Sequence, residues 1–259
     1  MFNHANGIYM HFEFLNNYKF IPFAHRGGSL ESTENTLDSF QHSINLGYEY
    51  IETDVRHTRD NKLVVFHDED LKRLCNEEIK ISDMEYEDLK KIKIKKKHYI
   101  PLLDEVLTTW PNINFNIEPK TFTSAKLLSQ SLKKIKNINR FCIGSFSFKK
   151  LEMIRNNVGV KLCTSMTKSE TIKFYLKQII PLSKINIPCL QIPSRYMGFK
   201  IITKSIIDKF HNQNKKVHVW TVNDENEINE LIDIGVDGIM TDKPTLLKRI
   251  LKSRSLWKI

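Results

Sequence analysis

Apolar residues in this chain come in short bursts separated by amphipathic stretches. Ile21–His25 is an apolar run that reads as a strand. Glu34–Leu46 then places Leu37, Phe40 and Ile44 at helical spacing, and Gly47 stops it. Tyr50–Val55, Lys62–Phe66, Ile113–Glu118, Phe141–Ser145, Val160–Thr164, Leu190–Ile192, Val217–Val222 and Gly238–Thr241 continue the strand series. Helical patterns cover Leu102–Thr109, Phe122–Ile135, a stretch from Phe148, Glu170–Gln178, Thr203–Asn212, Asp224–Ile234 and Pro244–Leu251. Asp224 and Glu227 form a capping-box pattern, and Gly235 closes that helix.

Strand–helix alternation up to a final helix predicts a parallel sheet. A count near eight pairs favours a TIM (β/α)8 barrel over an open doubly wound sheet. No Pro/Gly/Ser-rich linker divides the chain, so 21–259 reads as one domain. Residues 1–20 form an N-terminal extension whose Tyr9, Phe12 and Phe14 are expected to build an added strand pair or a plug at the barrel's base.

Composition adds limits. Forty Lys+Arg against 30 Asp+Glu give a formal charge of +10, which favours anionic partners, although a Lys-rich solvated surface accounts for most of the excess. "KKIKIKKKHY" (Lys90–Tyr99) reads first as such a face and second as an attractor of anionic headgroups. Cys75, Cys142, Cys163 and Cys189 show no metal-ligand spacing and read as small core residues in a reducing compartment. The first eighteen residues contain no Lys or Arg, and no apolar run is long enough to span a bilayer, so a cytoplasmic location is expected. No aromatic–basic RNA-recognition motif is present, and no nucleic-acid partner is expected.

The candidate chemistry sits at strand ends. Glu52 and Asp54 are two residues apart on one strand, so both side chains share a face. Such a pair is either a solvated acidic patch or the oxygen shell of a hard cation, and Glu118 at another strand end supports the cation, Mg²⁺ or Ca²⁺. His25 and His67 also end strands and suit acid/base work near neutrality. Arg26 and Lys120 are the candidate anion contacts. Gly27-Gly28 let the backbone turn away. "INLGYEYIETD" and "IDIGVDGIMTD" share a helix–Gly–strand grammar that places Asp54 and Asp242 alike on the rim. Trp220 either packs against a substrate or belongs to the core.

His25-Arg26-Gly27, Glu34-Asn35-Thr36, Glu52-Thr53-Asp54-Val55, Val64–Asp68, Ile117–Lys120, "VHVWTVND" and "GVDGIMTDKP" occur in an order that resembles the glycerophosphodiester phosphodiesterase family. The resemblance runs from about Ile21 to the C-terminus. It implies a TIM barrel that hydrolyses glycerophosphodiesters to sn-glycerol 3-phosphate and an alcohol with a divalent metal. It further implies Glu52, Asp54 and Glu118 as metal ligands, His25 and His67 as the acid/base pair, and Arg26 and Lys120 as phosphate contacts. Two positions depart from the pattern: Thr33 stands where the family has Pro and would cap the helix, and Asp60-Asn61 replaces Asp-Gly. In the family a variable insertion shapes the substrate mouth; here Leu71–Tyr99 is short and Lys-rich, so a small water-soluble diester is expected. The rival readings are a lysophospholipase-D-like enzyme of the same superfamily, and a non-catalytic barrel that binds phosphate esters or nucleic acid.

Overall fold

Eight parallel strands carry the architecture: β1 (Ile21–His25), β2 (Tyr50–His57), β3 (Asn114–Pro119), β4 (Phe141–Ile143), β5 (Cys163–Thr164), β6 (Cys189–Pro193), β7 (Lys216–Trp220) and β8 (Gly238–Thr241). They follow in the order β5-β4-β3-β2-β1-β8-β7-β6, and a parallel bridge from Ser165 to Cys189 links the two ends into a barrel. This is a computed structural model, and it describes residues 12–176 and 187–258.

Each strand is followed by a helix: α1 (Leu37–Asn45), α2 (Leu103–Thr109), α3 (Phe122–Leu132), α4 (Phe148–Val158), α5 (Lys168–Leu176), α6 (Lys204–His211), α7 (Glu225–Asp233) and α8 (Pro244–Ser253). The fold is therefore the TIM barrel that the alternation predicts. Helices α1, α3, α6 and α7 start at side-chain caps. Thr36, not Thr33, caps α1: its Oγ1 accepts from the Ser39 amide, and Ser39 returns the bond, so the helix begins three residues later than the apolar spacing suggests. Asp224 accepts from the Glu227 amide at 2.9 Å. The expected end of the Gln178 helix lies outside the described residues.

One expected strand is not part of the barrel. Leu63–Val65 turns back antiparallel on β2, pairing Val55 with Val65. It opens a subdomain over 58–102 with its own core of Phe66, Leu71, Ile81, Leu89, Ile94 and Ile100. The Lys-rich stretch folds there as a small hairpin, Lys93–Ile94 against His98–Tyr99.

The barrel floor is plugged from the N-terminal side. Phe12, Phe14 and Leu15 are buried against Phe23, Tyr50 and Met240, and the Tyr50 hydroxyl donates to the Phe14 carbonyl at 2.9 Å. The described part of the extension is thus a plug with one short helix, Glu13–Asn16, rather than a strand pair. Cys142, Cys163 and Cys189 face the same dry floor as free thiols. Gly238 is required where β8 meets β1: a Cβ there would lie 2.5 Å from the Ile21 carbonyl oxygen.

Candidate active site

The carboxyl ends of the strands open into a cavity of about 860 Å³. His25, Arg26, Glu52, Asp54, His67, Glu118, Lys120 and Trp220, the eight residues singled out in the sequence, all line it.

β1 delivers His25 and then turns through three successive left-handed residues: Arg26 (φ 51°), Gly27 (79°) and Gly28 (91°). Gly27 has no alternative, because a Cβ would sit 2.5 Å from Ser39 Oγ and 2.8 Å from the Ser39 backbone. The turn aims the Arg26 amide at Glu52, to which it donates at 3.1 Å.

The two histidines are held in the same way. His25 Nδ1 lies 2.6 Å from Asp242 Oδ1, and His67 Nδ1 lies 2.7 Å from Asp68 Oδ1. Asp242 also accepts from Ser29 and from Asn223 Nδ2. Burial would raise its carboxyl, but these bonds and the His25 charge hold it at about 2. An ionised Asp242 can only accept, so Nδ1 of His25 carries a proton and Nε2 is the atom left to titrate toward the cavity. His25 Nε2 lies 3.7 Å from Glu52. Burial lowers the His25 pKa, and the Glu52 and Asp242 carboxylates outweigh it and raise the value.

Glu52 and Asp54 point inward from β2, and register places Asp54 beside Glu118 on β3. Glu52 is 5% exposed and Asp54 1%. Burial, then the charge of Asp54, pushes Glu52 up. Burial would raise Asp54 too, but Lys120 and Arg26 hold it down. Lys120 Nζ bridges Asp54 and Glu118 at 3.1 Å each. Arg26 pairs with Glu34 at 2.9 Å and approaches Asp54 at 3.2 Å through Nε, which is buried and makes no aligned hydrogen bond.

Glu52, Asp54 and Glu118 thus face Arg26 and Lys120, with Arg26 Nε 3.2 Å from Asp54 and Lys120 standing between Asp54 and Glu118. Carboxylate oxygens are the donor class that a hard divalent cation takes, although the three do not converge on one point here. Among the described residues only Cys142, Cys163 and Cys189 bring three ligand atoms within 4.8 Å of one another. Those thiols contact the Thr164 carbonyl and the Gln191 amide, and they lie on the barrel floor.

Several site residues were not singled out. Asp242 stood on the rim in the sequence, but its link to His25 spans 217 residues and exists only because β8 closes on β1. Arg73 donates to Asp68 at 2.6 Å and to both oxygens of Glu34 at 2.7 and 2.8 Å, which couples the two histidine–arginine sides. Asn35, at φ 55°, joins Thr53 to Asp54. Asn116 accepts from Gln191 at 2.8 Å.

The mouth is built differently from the expectation. None of residues 71–99 lines the cavity. Its second wall comes from Ile192 on β6 and from the segments after β4, β5 and β6: Phe146, Met166, Ile172, Tyr196 and Ile206. Trp220 stands between the two walls in half-buried contact with Phe146, edge to face at 5.7 Å. A short insertion therefore does not deprive the site of apolar surface.

A sequence model described as the glycerophosphoryl diester phosphodiesterase family matches residues 25–246. The chain belongs to that family. It is 31% identical to the "Probable glycerophosphodiester phosphodiesterase 2" of Mycobacterium tuberculosis, over 95% of this chain and 96% of that protein. It is 28% identical to a human protein named Lysophospholipase D GDPD1, over 90% and 86%. A solved glycerophosphodiester phosphodiesterase from Thermotoga maritima superimposes with a TM-score of 0.73 at 27% identity, over 89% and 98%. As a member of this phosphodiesterase family the chain is an enzyme. Among the described residues no helix is long and apolar enough to cross a membrane.

Proposed function

We propose that the chain hydrolyses a glycerophosphodiester to sn-glycerol 3-phosphate and an alcohol, with His25 and His67 as the acid/base pair and a divalent cation, Mg²⁺ or Ca²⁺, at the carboxylates. The observation that carries this reading is the paired arrangement of His25–Asp242 and His67–Asp68 in one cavity with Glu52, Asp54 and Glu118. In each dyad the carboxylate holds Nδ1, so each imidazole offers Nε2 for proton transfer. Glu52, Asp54 and Glu118 would hold the cation, which supplies charge neutralisation at the non-bridging oxygens of the diester. Arg26, which pairs with Glu34 and lies close to Asp54, would contact the same oxygens, and Lys120 would swing from the carboxylates to the phosphoryl group. One imidazole takes the proton of the attacking oxygen, from water or from the glycerol hydroxyl. The other delivers a proton to the leaving alcohol.

A second reading, a lysophospholipase D acting on an acylated glycerophosphodiester, is favoured by the apolar wall from Phe146 to Ile206. A cavity of about 860 Å³ is of the size that takes drug-sized ligands, and a glycerophosphate headgroup fills only part of it.

The leaving group separates the roles of the histidines. His25→Ala and His67→Ala should each lower kcat about 10²–10⁴-fold on a natural diester. On an activated aryl diester, whose alcohol departs with little protonation, the general-acid variant should recover and the general-base variant should not. Near wild-type kcat for both variants on the natural diester would remove the two-histidine mechanism.

A further inference from the structure

The segment between β6 and α6 contains a hairpin that the reaction does not use in full. Arg195–Tyr196 pairs antiparallel with Phe199–Lys200 around the turn Met197-Gly198. Both turn residues have positive φ, 49° and 83°. Asn-Gly is the usual filling of such a turn, and a Met there is strained. That Met is also 82% exposed, and Phe199 beside it is 76% exposed. Neither lines the cavity, whereas the adjoining Tyr196 and Lys200 do. Phe146 and Ile172, which line the cavity together with Tyr196, are 59% and 47% exposed, and Tyr196 joins that wall to the tip by pairing with Phe199.

Charge surrounds this edge. Lys168 lies 5.5 Å over the Tyr196 ring and Lys173 lies 6.0 Å from the Phe148 ring, and neither has a carboxylate partner among the described residues. Arg195, Lys200 and Lys204 are balanced by Glu227, Glu230 and Asp208. The excess is therefore positive on the α5 side, in a chain of formal charge +10.

We propose that this hairpin edge docks on an anionic lipid bilayer. Met197 and Phe199 enter the headgroup region, Lys168 and Lys173 face anionic lipid, and the cavity's apolar wall opens onto the membrane. An apolar tip and a basic flank are the two signals that reversible surface attachment needs. A bilayer fits better than a protein groove because Tyr196, which pairs with Phe199 at the exposed tip, also lines the catalytic cavity and carries Lys168 over its ring. The inference rests on the phosphodiesterase reading only in taking that cavity as catalytic.

The test is sedimentation of the full chain with phosphatidylcholine vesicles, with and without phosphatidylglycerol. Wild type should bind the phosphatidylglycerol vesicles at least about 10-fold more strongly. Met197→Asn with Phe199→Ser should lower that binding by about 10-fold or more, since Asn-Gly preserves the turn while both apolar side chains are lost. Lys168→Glu with Lys173→Glu should remove the phosphatidylglycerol preference. Hydrolysis of a soluble glycerophosphodiester should be unchanged in the Met197/Phe199 variant. Four results would overturn docking: wild type binding neither vesicle, the hairpin variant binding as well as wild type, binding lost on Lys95→Glu, Lys96→Glu and Lys97→Glu while the hairpin variant keeps it, and self-association without lipid that the hairpin variant loses, which would assign the face to a second copy. A protein that binds vesicles through the hairpin but cleaves no diester would uphold docking and remove the phosphodiesterase reading.

Discussion

Asp242 shows how single residues set this site. Its carboxyl holds His25 in one tautomer and is itself held at about 2, against an ordinary value of 3.8, with burial opposed by the bonds from His25, Ser29 and Asn223. A depressed carboxyl stabilises the fold above its unfolded value, and that stability disappears as pH falls through the folded value. The Asp242 contribution should therefore be complete above about pH 4 and lost toward pH 2, with a size of about 2 kcal/mol. Asp242→Asn should lower the urea midpoint at pH 7 and flatten the loss of stability between about pH 4 and pH 2. An unchanged acid limb in the variant would show that Asp242 does not titrate as described. The residue types of the site were legible because His, Glu and Asp at apolar strand ends have few structural uses. The partner of His25 was not, because nothing local in "MTDKP" records that β8 lies beside β1.

At the scale of elements, the strand ends do the positioning and the insertion tightens it. Arg73 on the short helix Lys72–Cys75 reaches Asp68 and Glu34 together, so it orients His67 through one partner and Arg26 through the other. Arg73→Ala should lower kcat about 10-fold, with little change in KM for a soluble diester and little change in unfolding midpoint, because the side chain is half-exposed. Arg73→Lys should not restore kcat, since an ammonium cannot reproduce the two-sided guanidinium fork. A larger KM with normal kcat would instead make Arg73 a part of the substrate mouth. Most elements were readable from periodicity, and the errors have physical reasons. Leu63–Val65 has strand chemistry, but it runs antiparallel to β2 and bridges Leu102 on its other side, so it adds a hairpin and not a barrel strand. Helix α1 starts at Leu37 because Thr36 and Ser39 exchange caps, whereas Glu34 and Asn35 are drawn off to Arg26 and Asp54.

At the scale of the molecule, closure of the barrel converts residues scattered from 25 to 240 into one cavity, and the two walls of that cavity differ in kind. The acidic and basic wall comes from the ends of β1, β2 and β3 and from His67. The apolar wall comes from β6 and the segments after β4, β5 and β6. The first wall was legible in ordered motifs. The second was not, because Phe146, Met166, Ile192 and Tyr196 look like ordinary core or loop residues until the barrel brings them together. The small water-soluble substrate expected from the Leu71–Tyr99 segment loses its premise, since that segment does not line the cavity. The first wall sets three buried or half-buried carboxylates, Glu52, Asp54 and Glu118, against Arg26 and Lys120, and the proposed reaction needs a divalent cation there. The most direct measurement is product release by chelator-treated protein, before and after Mg²⁺ or Ca²⁺ is restored, from glycerophosphocholine and from its acylated counterpart. The account predicts that chelation abolishes release of glycerol 3-phosphate or of its acylated form and that the metal restores it. Full activity in the metal-free sample, or no phosphodiester cleavage with either metal, would contradict it.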